Sequence, residues 1–172
     1  MKRTLIFTGE GKGKTTAALG AVLRAVGHGH RSLIVQFIKA DTRLGELAAC
    51  GMLPGVEIVQ MGCGFLPDES SPEFNQHRKA AAKALAFTER AFDSGKYDLV
   101  VLDEVCVAVA KRLIEEDRVL ELLQHRRGVS CVILTGRDAS MRMMKNADTI
   151  TEMHCVRHGL QHGKQPQRGV EY

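Results

Sequence analysis

The segment Thr8-Gly9-Glu10-Gly11-Lys12-Gly13-Lys14-Thr15-Thr16 holds residue types that bind polyphosphate. It follows a short apolar run and precedes a helical pattern starting at Ala17-Ala18-Leu19, the strand–loop–helix setting of a Walker A loop. Gly9, Gly11 and Gly13 let the backbone turn tightly enough to aim several N–H groups at one anion. The helix that follows adds its positive N-terminal end. Lys14 supplies a mobile positive charge for phosphate oxygens, and Thr15 offers a hydroxyl to Mg²⁺. Thr8 stands where the pattern usually has its first glycine. Downstream, Tyr97-Asp98-Leu99-Val100-Val101-Leu102-Asp103-Glu104 is an apolar strand ending in two carboxylates, the Walker B form. Such a tip holds Mg²⁺ or its waters. Either carboxylate is a candidate for direct contact, and the sequence does not choose between them.

Positioning these groups requires strands that end at a common edge. Residues 4–8, 33–38, 56–60, 99–102 and 131–134 read as strands, and 149–153 as a sixth. At least three are almost continuously apolar, the pattern of strands buried on both faces in a parallel sheet. The spacers are long enough for crossover helices. The clearest helix lies within 73–95, where Phe74, Ala81, Leu85 and Phe92 form an apolar stripe. Pro72 stands near its start and Gly95 near its stop. The loop Met61–Ser71 is the longest polar, Gly-rich break. We expect one α/β domain over residues 1–172: a mainly parallel sheet of five to six strands flanked by helices, with RecA-like P-loop architecture.

Composition narrows the partners. The chain has 172 residues, 44% hydrophobic and 26% charged, a balance suited to a buried core. Aromatics are 5% and Trp is absent, which argues against a base-stacking surface for nucleic acid. Lys and Arg outnumber Asp and Glu by 24 to 20, which suits a small anionic ligand. No apolar stretch approaches the ~18 residues of a membrane span, and the start Met1-Lys2-Arg3 does not read as a signal peptide. The expected location is the cytoplasm. The five cysteines, Cys50, Cys63, Cys106, Cys131 and Cys155, form no Cys-x-x-Cys pair and do not read as a disulfide framework.

These motifs alone fit a RecA-like ATPase or a P-loop kinase, with Glu104 orienting water or an acceptor. A wider set of residues is more selective. The Walker A loop through Gly20, then Arg24-Ala25-Val26-Gly27-His28-Gly29, then Val35-Gln36-Phe37-Ile38-Lys39, resembles the ATP:corrinoid adenosyltransferases. The resemblance continues through Gly64-Phe65, Val100 to Glu104, Thr135-Gly136-Arg137, Ala147-Asp148-Thr149, Val156-Arg157-His158 and Gly163. It ends at Gly169-Val170-Glu171-Tyr172, so it spans essentially the whole chain. It implies transfer of the 5′-deoxyadenosyl group of ATP to the cobalt of a reduced corrinoid, with cobalt in the +1 state and triphosphate released. ATP would lie in the P-loop in reversed sense, exposing the ribose carbon. Mg²⁺ is the implied metal, and Mn²⁺ suits the same oxygen ligands. The implied partners are an electron-donating reductase and a second copy in a homodimer, with neither nucleic acid nor membrane.

Carried onto this chain, the resemblance makes Gly9, Glu10, Gly11, Lys12, Gly13, Lys14, Thr15 and Thr16 the triphosphate site. Lys14 binds phosphate, Thr15 and Glu104 contact the metal, and Asp103 supports them. Arg24 and Arg137 are further candidate nucleotide contacts, and Phe65 is a candidate to pack on the corrin ring. Two departures stand out. The family's N-terminal extension has no counterpart before strand one, and the Trp that often follows Gly-Phe is missing from Gly64-Phe65-Leu66-Pro67. The histidines His154, His158 and His162 recur every four residues, but Gly159, Gly163 and Pro166 oppose a helix that would align them. A solvated or nucleotide-covering tail, rather than a metal site, is the expected role there, and a module that delivers a corrinoid without catalysis is the non-enzymatic alternative.

Overall fold

The computed structural model describes residues 2–170. Glu171 and Tyr172, the end of the Gly-Val-Glu-Tyr motif, lie outside the described residues. The elements run β1 (Arg3–Thr8), α1 (Lys14–Gly27), β2 (Ser32–Gln36), α2 (Gly45–Gly51), β3 (Val56–Gln60), α3 (Phe74–Asp93), β4 (Leu99–Asp103), α4 (Val105–Ala110), α5 (Glu116–His125), β5 (Cys131–Thr135), α6 (Met141–Lys145) and β6 (Thr149–Glu152). Among the described residues the strands form one six-stranded sheet in the order β3-β2-β4-β5-β1-β6, and every pairing is parallel.

The apolar runs explain the layering. All five residues of β2 and of β4 are buried, as strands covered on both sides must be. Alternate side chains serve opposite cores. Ile34, Val101 and Ile133 pack with Ala18 and Val22 of α1, whereas Val35, Leu102 and Leu134 pack with α3, α4 and α5. At the edge, β6 is exposed along its whole length. The strand expected over 33–38 stops at Gln36, because the backbone bends there to follow its neighbours: Phe37 N–H donates to Asp103 O, and Gly64 N–H donates to Ile38 O.

Helix α3 follows its stripe. Phe74, Ala81, Leu85 and Phe92 are buried, while Arg78 is exposed and lies over the Phe74 ring. Gly95, just past the C-cap Ser94, adopts φ 62° and lets the chain leave the helix. Phe92 is 2% exposed in the larger core. Phe92→Ala should therefore cost about 3–5 kcal/mol by loss of transfer energy and by leaving a cavity. Urea unfolding checks this, and a loss under about 1 kcal/mol would contradict the packing described.

The sheet's function is to bring loop ends together. Because the strands are parallel, the ends of β1, β2, β4 and β5 lie along one edge, where open α/β sheets bind ligands. The strand tipped by Asp103 is not adjacent to the P-loop strand: β5 intervenes and contributes Thr135 between them.

Candidate active site

β1 delivers the chain to Thr8, and the loop Gly9–Gly13 turns it into α1. Gly9 adopts φ 92° and Gly13 φ 106°, left-handed conformations that favour glycine. Gly9 is also crowded, since a Cβ there would lie 2.5 Å from the carbonyl oxygen of Met153. That contact arises because the chain leaving β6 crosses the loop. Met153 N–H donates to Thr8 O at 2.8 Å, and Gly11 N–H donates to Met153 O at 2.6 Å. Lys14 folds back over the turn, its Nζ donating to Gly9 O and to Gly11 O at 2.7 Å each. Burial lowers its pKa, against the opposing charge of Glu104.

The Walker B carboxylates take different places. Asp103 is fully buried and accepts hydrogen bonds from Thr15 Oγ1 at 2.7 Å, Thr135 Oγ1 at 2.7 Å and Gln36 Nε2 at 3.1 Å. Lys39 Nζ completes the shell, 3.2 Å from Oδ2. Thr135 connects the pair, because its Oγ1 also accepts the N–H of Glu104 at 2.9 Å. Glu104 sits just beyond the strand with φ 62°, an uncommon conformation for a non-glycine residue. Its side chain lines the cavity, and its pKa is raised by burial first and by the Asp103 charge second.

The cavity measures about 460 Å³ and has the P-loop, Glu10 to Thr16, as its floor. Arg137, paired with Glu10 at 3.4 Å, stands at its rim, and the tail reaches it through His158 and Val170. Lys39 and Glu46, 3.1 Å apart, line it as well. Thus Gly11, Lys12, Gly13, Lys14, Thr15, Thr16, Glu10, Glu104 and Arg137 line one space, and Asp103 lies directly behind Thr15. Gly9 is tied to it through Lys14. Arg24, in the second half of α1, is exposed and is not part of the lining. Phe65, on the loop after β3, is 98% exposed and also lies outside it.

Lys39, Glu46, Gln36 and Thr135 belong to the site or its support without having been singled out for it from the sequence, whereas His158, read as part of the tail, lines the cavity. Polar residues closing apolar strands (Gln36, Thr135, and Lys39 soon after) were the available signal. Glu46, on the first turn of α2, had none. In the tail, Gly159–His162 form a 3-10 turn with His158 as its N-cap. Cys106 is buried in α4 and its thiol is pushed up to about 12, chiefly by burial, so it is no nucleophile.

The Thr15 hydroxyl and the two carboxylates are hard oxygen donors of the kind Mg²⁺ and Mn²⁺ prefer. No group of three or more His, Cys, Asp or Glu among the described residues forms a metal cage by itself. A divalent ion held here would complete its shell with phosphate oxygens and water, the usual habit of Mg²⁺.

Comparison with known proteins identifies the family. The profile of the family described as ATP:corrinoid adenosyltransferase BtuR/CobO/CobP matches residues 2–172. The corrinoid adenosyltransferase of Pseudomonas aeruginosa is 38% identical over 169 residues, covering 98% of this chain and 82% of the relative. That of Escherichia coli K12 is 36% identical, with 98% and 84% covered. Among solved structures, a KaiC-like protein from Pyrococcus horikoshii aligns with a TM-score of 0.58 at 19% identity, covering 88% of this chain and 71% of that one. This last likeness is one of fold, the RecA type. Among the described residues no helix is long and apolar enough to cross a membrane.

Proposed function

This chain belongs to the ATP:corrinoid adenosyltransferase family and is a corrinoid adenosyltransferase; on that premise we propose how its residues divide the work. The observation that carries the assignment is the family match over residues 2–172; the placing of Lys14, Thr15 and Glu104 on one P-loop cavity, with Asp103 behind Thr15, supports the division of work. In the reaction the cobalt(I) electron pair forms a bond to the 5′ carbon of ATP. The bond from that carbon to the α-phosphate oxygen breaks, triphosphate leaves with the electron pair, and cobalt becomes an alkylated cobalt(III). No protein nucleophile is required. The chain's task is to hold the leaving group and to align the reacting atoms.

The P-loop N–H groups and Lys14 stabilise charge gathering on the triphosphate. Lys14 exchanges its contacts with Gly9 O and Gly11 O for phosphate oxygens. Mg²⁺ supplies further charge neutralisation when bound, and Thr15 and Glu104 are the residues that would hold it. Asp103 orients the Thr15 hydroxyl and, through Thr135, the backbone of Glu104. Arg137 adds positive charge at the rim. Phe65 offers an exposed ring to the corrin face, and Arg24 reaches nucleotide only if a second copy or a moving segment brings it there. A homodimer, an electron-donating reductase and a cytoplasmic setting complete the reading. The need for cobalt(I) supports the last two.

The deciding experiment is product analysis. Protein, ATP, Mg²⁺ and chemically reduced corrinoid should yield adenosylated corrinoid and triphosphate in equal amounts. ADP and phosphate without adenosyl transfer would instead indicate a RecA-like ATPase or kinase.

A further inference from the structure

A second cavity lies between the tip of the P-loop and the tail. It measures about 340 Å³, and Lys12, His154, Arg157, His158 and Lys164 line it; among the described residues no carboxylate does. Lys12 and His158 also line the P-loop cavity, so the two spaces adjoin. The backbone builds this place. Gly11 lies so close to the tail that a Cβ there would stand 2.8 Å from the carbonyl oxygen of His154. Beyond it, the 3-10 turn Gly159–His162 folds the chain back on itself. Lys164 N–H donates to Gly159 O at 3.0 Å, and a Gly159 Cβ would lie 3.2 Å from that of Lys164. Arg157 and Lys164 thereby meet around one space. His158 Nδ1 accepts the N–H of Leu160 at 3.3 Å, so the neutral ring keeps its hydrogen on Nε2 as a donor. His154 faces Glu152 at 3.9 Å, which leaves Lys12, Arg157 and Lys164 as the permanent cations.

The strand order tells which end of the substrate this cavity faces. The tail leaves β6 and Phe65 follows β3, the two ends of the sheet. Five interstrand steps of about 4.8 Å each put those ends about 24 Å apart. The P-loop follows β1, next to β6. With the corrin at the Phe65 end, the 5′ carbon of ATP must face that end, and the phosphate chain runs from it toward β6. The free end of the triphosphate therefore points at the second cavity. Once the carbon–oxygen bond has broken, the alkylated corrin closes the other side, and the way out for triphosphate runs past Lys12 and His158. A highly charged polyphosphate suits this lining better than a single phosphate does, because it offers more oxygens to the same cations.

We propose that this cavity is a second polyphosphate site, which receives the inorganic triphosphate as it leaves the P-loop. The proposal rests on the adenosyl-transfer reading of the first cavity. Its test is whether tripolyphosphate binds when the P-loop is already filled. The protein is saturated with ATP and excess Mg²⁺ without corrinoid, so no acceptor is present, and tripolyphosphate is titrated by calorimetry. The same titration is run with orthophosphate, and on the double variant Arg157→Gln/Lys164→Gln. Adenosyl transfer to reduced corrinoid in the presence of added tripolyphosphate is the kinetic arm.

The ATP-saturated wild type should bind a further tripolyphosphate, and orthophosphate about tenfold more weakly. The double variant should bind that tripolyphosphate about fivefold to thirtyfold more weakly, since exposed charge contacts contribute modestly one by one. Its ATP affinity and melting temperature should stay unchanged. In the kinetic arm, saturating ATP should relieve only part of the inhibition of the wild type, because an occupied exit holds product in place. Inhibition of the variant should be competitive with ATP alone. Four outcomes overturn the proposal. Tripolyphosphate binds only by displacing ATP; orthophosphate binds as tightly, which makes the cavity an unselective cationic surface; the variant keeps the extra site at full strength; or the variant loses ATP affinity in parallel, which places Arg157 and Lys164 in the nucleotide site. The wild-type titration needs no variant to fold. A second site found together with ADP and phosphate as products would sustain the binding site and remove the adenosyl-transfer reading.

Discussion

Lys14→Ala is expected to lower kcat/KM for ATP by a hundredfold or more while leaving the fold intact. The magnitude follows from preorganised charge at a leaving group, where losing one donor costs on the order of a hundredfold to a thousandfold. Here the donor is an ammonium only 8% exposed, already desolvated and already aimed over the loop by Gly9 O and Gly11 O. Those contacts are carbonyl oxygens, so exchange for phosphate trades weak acceptors for strong ones. Lys14→Arg should rescue poorly, because a planar fork does not fit the place where a single nitrogen meets two carbonyls. The measurements are calorimetric ATP binding, steady-state kinetics and thermal unfolding. Unchanged affinity and turnover would remove the P-loop from the mechanism, and a collapsed melting temperature would make Lys14 a structural residue instead.

Much of the scaffold behind Lys14 is legible in the sequence, for a definite reason. Strands buried on both faces are nearly continuous in apolar residues between their ends, so β2, β4 and β5 declare themselves as runs. Helix α3 shows its stripe because one side of it meets the core. The P-loop is local, since its glycines, lysine and threonine act over nine consecutive residues. What the sequence hides is non-local. That β5 lies between β1 and β4 is a fact of strand order, which periodicity does not carry, and it alone explains why Thr135 mediates between Asp103 and Glu104. The same holds for Met153, whose carbonyl crosses the P-loop because β6 pairs with β1. Glu46 is an ordinary acidic residue of a short helix until the fold places Lys39 against it. The open choice between the two Walker B carboxylates also becomes physical: one is saturated with protein donors and the other faces the cavity.

That saturation makes Asp103 the second position of large expected effect. Four side chains donate to it, from the start of α1, the end of β2, the loop beyond β2 and the end of β5. Asp103→Ala removes the shared acceptor of all four at once. Removing one partner of a buried charge pair costs about 3–5 kcal/mol; because Lys39 keeps Glu46, the lower figure of about 3 kcal/mol applies. Asp103→Asn is the more telling change. It keeps the shape, yet turns one acceptor oxygen into a donor that faces other donors, so Thr15 or Lys39 must let go. The Asn variant should remain folded, lose part of that stability, and lose a hundredfold or more in adenosyl transfer, with a higher Mg²⁺ requirement for ATP binding. Thr15→Ala separates the contributions. It removes the hydroxyl and leaves the Asp103 cluster three donors, so it should share the metal effect and only a fraction of the stability loss. Urea unfolding alongside Mg²⁺-dependent ATP binding distinguishes these cases. If Asp103→Asn binds Mg²⁺ and ATP as the wild type does, the buried carboxylate serves only to join strands.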